Sequence, residues 1–212
     1  MSTMDRKEAI LAELARLYPD AKPALHFSNA YEMLVATVLS AQCTDVRVNM
    51  VTPALFAAYP DAAHLAAAEP AEIEPYIRSC GFYHHKSQNL VMAARALVRE
   101  HGGEVPNDFE ALQKLPGVGR KTANVVMANA FGADAIAVDT HVFRVSNRLG
   151  LVHADDVLQT ELQLQQVIPK GSWSAAHHWL IYHGRRVCAA RKPACERCTL
   201  RALCEHAQAA AQ

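Results

Sequence analysis

The chain has 212 residues, 51% of them hydrophobic, with 21 basic and 21 acidic side chains and no formal net charge. That balance excludes a uniformly basic nucleic-acid coat, and no apolar run is long enough to cross a bilayer. No charged-then-apolar leader is present, so the chain reads as a soluble, cytoplasmic protein of one large domain or two small ones.

The apolar residues recur with helical spacing almost throughout. Arg6 to Tyr18 is amphipathic, with Ile10, Leu11, Leu14 and Leu17 on one face, and Pro19 and Pro23 end it. Tyr31 to Ala41 is apolar nearly all round and predicts a buried helix. Thr44 to Val51 predicts another, after which Thr52 caps a third with Pro53 at its first position. Short helices are expected at Ala62 to Ala67 and Ala71 to Ile77. Gly81 breaks the chain, and Phe82, Tyr83, His84 and His85 read as an aromatic-rich loop before a long helix from about Lys86 to His101. Gly102 and Gly103 end that helix. Asp108 can cap a short helix through Phe109, Leu112 and Leu115. Thr122 to Ala130, Thr140 to Leu149, Val157 to Ile168 and Ser174 to Ala189 are helical, with Ala135 to Val138 briefly extended. The Ala/Gln tail from Ala207 reads as frayed. The pattern is all-α.

The stretch Leu115-Pro116-Gly117-Val118-Gly119-Arg120-Lys121 organises the chain. Pro116 stops the first helix, because its ring and missing N–H forbid continuation. Gly117 and Gly119 allow positive φ and leave backbone N–H groups uncovered. Those groups would lie at a helix N-terminus, where the dipole favours an anion such as a phosphate. An ordinary turn between packed helices is the competing reading. Charge is also uneven: Lys114 to Arg148 holds five basic and two acidic residues, and Lys170 to His206 seven and two. A chain neutral overall can therefore present one basic face.

Lys121 falls in the first turn of the second hairpin helix, where a cation is electrostatically disfavoured. An amine relieved of its proton is a Schiff-base nucleophile; the alternative is a solvated or phosphate-contacting lysine. Asp139 opens the helix Thr140 to Leu149. It can cap that helix, present a carboxylate to a developing positive centre, or do both. His141 and Arg144 follow on the same segment and either contact a phosphate or pack.

Of six cysteines, four lie within seventeen residues: Cys188, Cys195, Cys198 and Cys204. In a cytosolic chain such a cluster indicates metal rather than disulfides, and four thiolates suit zinc or an iron–sulfur cluster. Arg191 and Lys192 sit in the basic loop between the first two. Cys43 and Cys80 read as buried thiols. His84-His85, and His177-His178 with His183, do not read as metal sites, because adjacent histidines on a helix point to different sides.

Together these residues resemble the endonuclease III family, bifunctional base-excision glycosylases and abasic-site lyases of the helix–hairpin–helix superfamily. The likeness rests on LSAQCTD at Leu39 to Asp45, GFYHHK at Gly81 to Lys86, LPGVGRKTANVV at Leu115 to Val126, AVDTHVFRV at Ala137 to Val145, HHWLIYHGR at His177 to Arg185 and the cysteine spacing. The resemblance implies a two-lobed fold: a six-helix barrel at 23–133 with the hairpin at about 109–130, and an iron–sulfur domain from 1–22 plus 134–212, with the active site in the cleft between them. It implies Lys121 as nucleophile, Asp139 as catalytic carboxylate, and a [4Fe–4S] cluster on Cys188, Cys195, Cys198 and Cys204. Gln42 would fill the gap left by an extruded nucleotide, and Phe82 to His84 would wedge into the opposite strand, although the family's usual wedge is aliphatic. The expected DNA contacts are thus Gln42, Phe82, Tyr83, His84, Gly117, Gly119, Arg120, Thr140, His141, Arg144, Arg191 and Lys192. The expected partner is double-stranded DNA with an oxidised pyrimidine or abasic site, bound by a monomer associated with the nucleoid. Two alternatives stand beside this. An adenine glycosylase of the same superfamily would lack the lysine and carry a glutamate where Thr37 lies. A non-catalytic DNA-binding module would hold a structural zinc.

Overall fold

The computed structural model describes residues 2–209. The α-helices in chain order are α1 Thr3–Leu17, α2 Ala30–Leu39, α3 Asp45–Ala58, α4 Ala62–Ala67, α5 Pro70–Ile77, α6 Tyr83–His101, α7 Phe109–Lys114, α8 Arg120–Phe131, α9 Thr140–Leu149, α10 Val157–Val167, α11 Trp173–Arg186 and α12 Glu205–Ala209. No strand occurs among the described residues. No helix among them is long and apolar enough to cross a membrane. The chain forms two compact units, one of residues 23–133 and the other of 1–22 with 134–212.

The 23–133 unit is built around α2. Asn29 caps it by accepting from the Glu32 N–H, and every residue from Tyr31 to Leu39 except Glu32 is buried. It packs against α3, α6 and α8, while α4 and α5 pack on α6. Each fully buried Leu or Ile in this core, such as Leu39, Leu55, Ile73 or Leu97, contributes roughly 2–3 kcal/mol by leaving water.

Two helix assignments made from the sequence fail in this unit, and Cys43 is only partly buried where the sequence predicts a buried thiol. Thr52 does not begin a new helix: α3 runs unbroken from Asp45 to Ala58, with Pro53 inside it. The buried residues Val48, Thr52 and Leu55 continue one apolar stripe across the proline. Burial of that stripe offsets an internal proline, which costs about 3 kcal/mol. Nor are Tyr83 to His85 a loop. They form the first turn of α6, because Phe82 takes a left-handed φ of 49° at the N-cap and its carbonyl accepts from the Lys86 N–H at 3.0 Å. Gly102 and Gly103, at φ 61° and 87°, end α6 with the Gly103 N–H returning to Leu97 O.

The other unit encloses a core of Ile10, Leu11 and Leu14 from α1 with Val142, Val145, Leu149, Leu164 and Leu180. α1 opens with a capping box between Ser2 and Asp5. The Arg6 guanidinium then donates to Leu149 O, Gly150 O and Leu203 O at 2.7–2.8 Å and pairs with Glu205, tying α1 to the end of α9 and to α12. Residues 135–138 form no strand, although Ile136 to Val138 are buried. α11 ends at Arg186 rather than Ala189, because the Val187 and Cys188 N–H groups both turn back to His183 O. The tail is not frayed through Ala209, since α12 covers Glu205–Ala209; residues 210–212 lie outside the described residues.

Candidate active site and thiol centre

The hairpin is built as its glycines and proline dictate. α7 is capped by Asp108, and Leu115 turns extended before Pro116. Gly117 takes φ 77°, and a Cβ there would meet the Asn89 Cβ at 2.8 Å, so both conformation and space require glycine. Gly119 differs from expectation. Its φ of −89° is ordinary, and it serves instead as the N-cap of α8. No side chain caps that N-terminus, whereas Asp108 and Asp139 cap α7 and α9, and no acid lies in its first turn. The positive end of the α8 dipole therefore has neither a side-chain cap nor a first-turn acid of its own helix, an arrangement that suits a phosphate oxygen. Arg120 is the first residue of α8, and its guanidinium lies 5.1 Å from the centre of the Phe109 ring. Lys121 is the second residue of α8 and is exposed.

In the same unit, two turns carry the remaining expected DNA contacts. Gln42 follows α2 and Phe82 precedes α6; both are exposed, and both adopt left-handed φ, 50° and 49°. No other non-glycine residue among the described residues has positive φ. His84 stacks on Tyr83 at 4.1 Å and pairs with Glu74 through Nδ1 at 2.7 Å. Thr37, where an adenine glycosylase would carry its glutamate, is buried and donates its hydroxyl to Met33 O at 2.7 Å.

In the other unit Asp139 caps α9, its Oδ1 accepting from the His141 and Val142 N–H groups at 2.8 Å each. The chain before it is fixed from α11, where His177 Nδ1 donates to Ala137 O at 2.7 Å. Thr140 is exposed at the first position of α9. His141 accepts at Nδ1 from Arg144 at 3.1 Å, and burial holds it below the usual imidazole range against the Asp139 carboxylate, which acts to raise it. The Arg144 guanidinium also reaches Thr140 O, Gly184 O and Cys188 O at 3.1–3.3 Å, so it ties α9 to α11 and to the first clustered cysteine.

Cys188, Cys195, Cys198 and Cys204 line one recess, with Leu149, Val187 and Pro193 among the apolar residues around it. Among the described residues, no three His, Cys, Asp or Glu side chains form a single-ion site. Burial pushes the Cys198 and Cys204 thiols up, and the neighbouring cysteines add to it. Four thiolates gathered here would need a compensating positive centre, and their chemistry fits either zinc or an iron–sulfur core. Two residues without an assigned role in the sequence analysis face the sulfurs. Arg148 Nη1 lies 3.6 Å from Cys188 Sγ, and the same guanidinium donates to Ala189 O and Ala190 O at 2.8 Å. His183 Nε2 lies 3.6 Å from Cys198 Sγ, while its Nδ1 bonds the Tyr18 hydroxyl at 2.9 Å. Arg148 therefore shapes the loop on which Arg191 and Lys192 stand exposed.

Comparison with known proteins places this arrangement. A family profile described as HhH-GPD superfamily base excision DNA repair protein matches residues 35–170. Endonuclease III of Synechocystis sp. is 52% identical over 98% of this chain and 95% of its own. Endonuclease III of Escherichia coli is 45% identical, covering 93% of each. The chain belongs to the endonuclease III family of that superfamily. Membership makes it a base excision repair DNA glycosylase. The solved structure of a trapped endonuclease III–DNA covalent intermediate superposes with a TM-score of 0.94 at 46% identity, covering the whole of both chains.

Proposed function

We propose that this glycosylase removes oxidised pyrimidines from duplex DNA and then cuts the abasic strand by β-elimination through a lysine Schiff base. The observation that carries the reading is Lys121, exposed on the first turn of α8, one residue past an uncapped N-terminus that suits a phosphate. A trapped endonuclease III–DNA covalent intermediate among the similar structures supports a covalent route.

In this reading the hairpin N–H groups hold the backbone and the target nucleotide is flipped out. Flipping costs a few kcal/mol, and less for a damaged base, which aids selection. Gln42 occupies the vacated position and Phe82 parts the opposite strand. The Lys121 nitrogen bonds to C1′ as the C1′–base bond breaks and the base leaves with a proton. Asp139 stabilises the positive charge developing at the sugar. The sugar ring opens to an imine, a proton leaves C2′, the C3′–O bond breaks, and water releases the lysine. Arg191 and Lys192 contact a phosphate from the cysteine loop, whereas Arg144 supports that loop by way of Cys188.

Cys188, Cys195, Cys198 and Cys204 would hold a [4Fe–4S] cluster, whose part is to anchor the loop and C-terminal segment rather than to hydrolyse anything. The purified protein is therefore expected to be yellow-brown, with broad absorbance from thiolate–iron charge transfer. Cys198→Ser should lose that colour and much of the stability of its unit. A colourless wild-type protein containing zinc would overturn the cofactor assignment.

The function is tested by incubating the protein with a duplex carrying one thymine glycol and adding borohydride. A covalent protein–DNA band is expected. Base release without a band would leave a monofunctional glycosylase, and neither would refute the substrate class.

A further inference from the structure

The turns bearing Gln42 and Phe82 meet at a group that has no part in the reaction above. Lys86 is 5% exposed, and its ammonium donates to Leu39 O and to Cys80 O, each at 2.9 Å. Leu39 is the last residue of α2 and lies three positions before Gln42. Cys80 is the last residue of the short 3-10 turn Arg78–Cys80 and lies two positions before Phe82. One buried cation therefore bridges the C-terminal carbonyls of two helical segments, the ends at which a helix favours positive charge. Burial holds the Lys86 ammonium below its usual range, opposed by the adjacent Cys43 and Cys80. The side chain comes from α6 itself, whose first residue follows Phe82.

We infer that Lys86 is a positioning residue: its ammonium holds the Gln42 and Phe82 turns in register, and through them sets how strongly a duplex with a vacated nucleotide is preferred over an undamaged one. This rests on the reading in which Gln42 fills the gap and Phe82 parts the opposite strand.

The physical case has two parts. A non-glycine residue in the left-handed region costs roughly 1–2 kcal/mol and persists only where its surroundings over-determine it. Gln42 and Phe82 are the two such residues among those described, and each follows closely on a carbonyl that Lys86 holds. Second, both turns have to present exposed side chains to the same few base pairs, so their mutual placement matters more than either alone. A hydrophobic contact would tolerate sliding; two charge-assisted hydrogen bonds from one nitrogen do not.

The test compares affinity for a duplex containing a tetrahydrofuran abasic analogue with affinity for the same undamaged duplex. The preference, taken as the undamaged-duplex Kd divided by the analogue-duplex Kd, is independent of the fraction of active protein, so a merely destabilised variant leaves that ratio unchanged. Lys86→Met keeps the unbranched stem, one atom shorter, and removes every donor. It is expected to lower the ratio by about tenfold or more while undamaged-duplex affinity stays within about twofold. In a Gln42→Ala/Phe82→Ala background the same change should add less than about twofold, because the residues it acts through are gone. Lys86→Gln, which keeps a shorter, neutral N–H donor group, should fall between wild type and Lys86→Met. An unchanged ratio in a folded variant, or a full further loss in the Gln42/Phe82 background, would overturn the inference. Failure of both Lys86 variants to fold would also overturn it, leaving the ammonium a purely structural group. A wild-type protein that does not discriminate the two duplexes refutes the proposed function instead.

Discussion

Lys121→Gln is expected to abolish the borohydride-trapped band and to reduce strand cleavage by at least about a thousandfold, with binding of an abasic-analogue duplex retained. The amide of Gln has nearly the reach of the lysine but no nucleophilic lone pair, and it cannot form an imine. Binding should survive because the anion-facing groups at this hairpin are main-chain N–H groups at an uncapped helix start, not the Lys121 side chain. Stability should change by less than about 0.5 kcal/mol, since Lys121 is exposed. The check is a gel assay of trapped and cleaved products beside a binding isotherm. Cleavage within tenfold of wild type would remove Lys121 from the nucleophile's role.

Asp139→Asn separates two functions of one carboxylate. The Asn oxygen can still accept from the His141 and Val142 N–H groups, so the α9 cap remains and the unfolding temperature should barely move. The negative charge is lost, and base release under single-turnover conditions should slow by on the order of a hundredfold to a thousandfold. Asp139→Ala removes both, adding a loss of about 1 kcal/mol in stability. Equal rates for Asp139→Asn and wild type would confine this residue to capping.

Much of the fold is legible because helix punctuation is local. Asp108, Asp139 and Gly102 mark helix ends by chemistry that acts within one turn, and the structure places ends there. The failures have equally local causes. Proline is as acceptable at a first helical position as it is costly inside, so Pro53 reads as a start. Only the burial of Val48, Thr52 and Leu55 on one face reveals a single helix. Phe82 reads as loop because an aromatic residue gives no sign of a left-handed φ. At the thiol recess, the cysteine spacing pointed to metal, whereas Arg148 and His183 had no signal of their own. Their approach to sulfur depends on how α9 and α11 pack. Lys86 did leave a trace: with Ser87 it falls on the buried stripe of α6 beside Leu90, Val91 and Ala94, where a lysine needs a partner.

From the sequence by itself came the all-helical class, the hairpin with its glycine turn, the lysine and aspartate at helix openings, and the four-thiol set. Each follows from residue type and short-range spacing, over which backbone hydrogen bonding and the helix dipole act. Only the tertiary structure decided which carbonyls Lys86 joins, that Arg144 turns inward to Cys188 while Arg191 and Lys192 remain exposed, and that α1 is held to α9 and α12 by Arg6. Those contacts join residues far apart in sequence. A guanidinium or ammonium can satisfy many carbonyls equally well until the packing of the core presents a particular few.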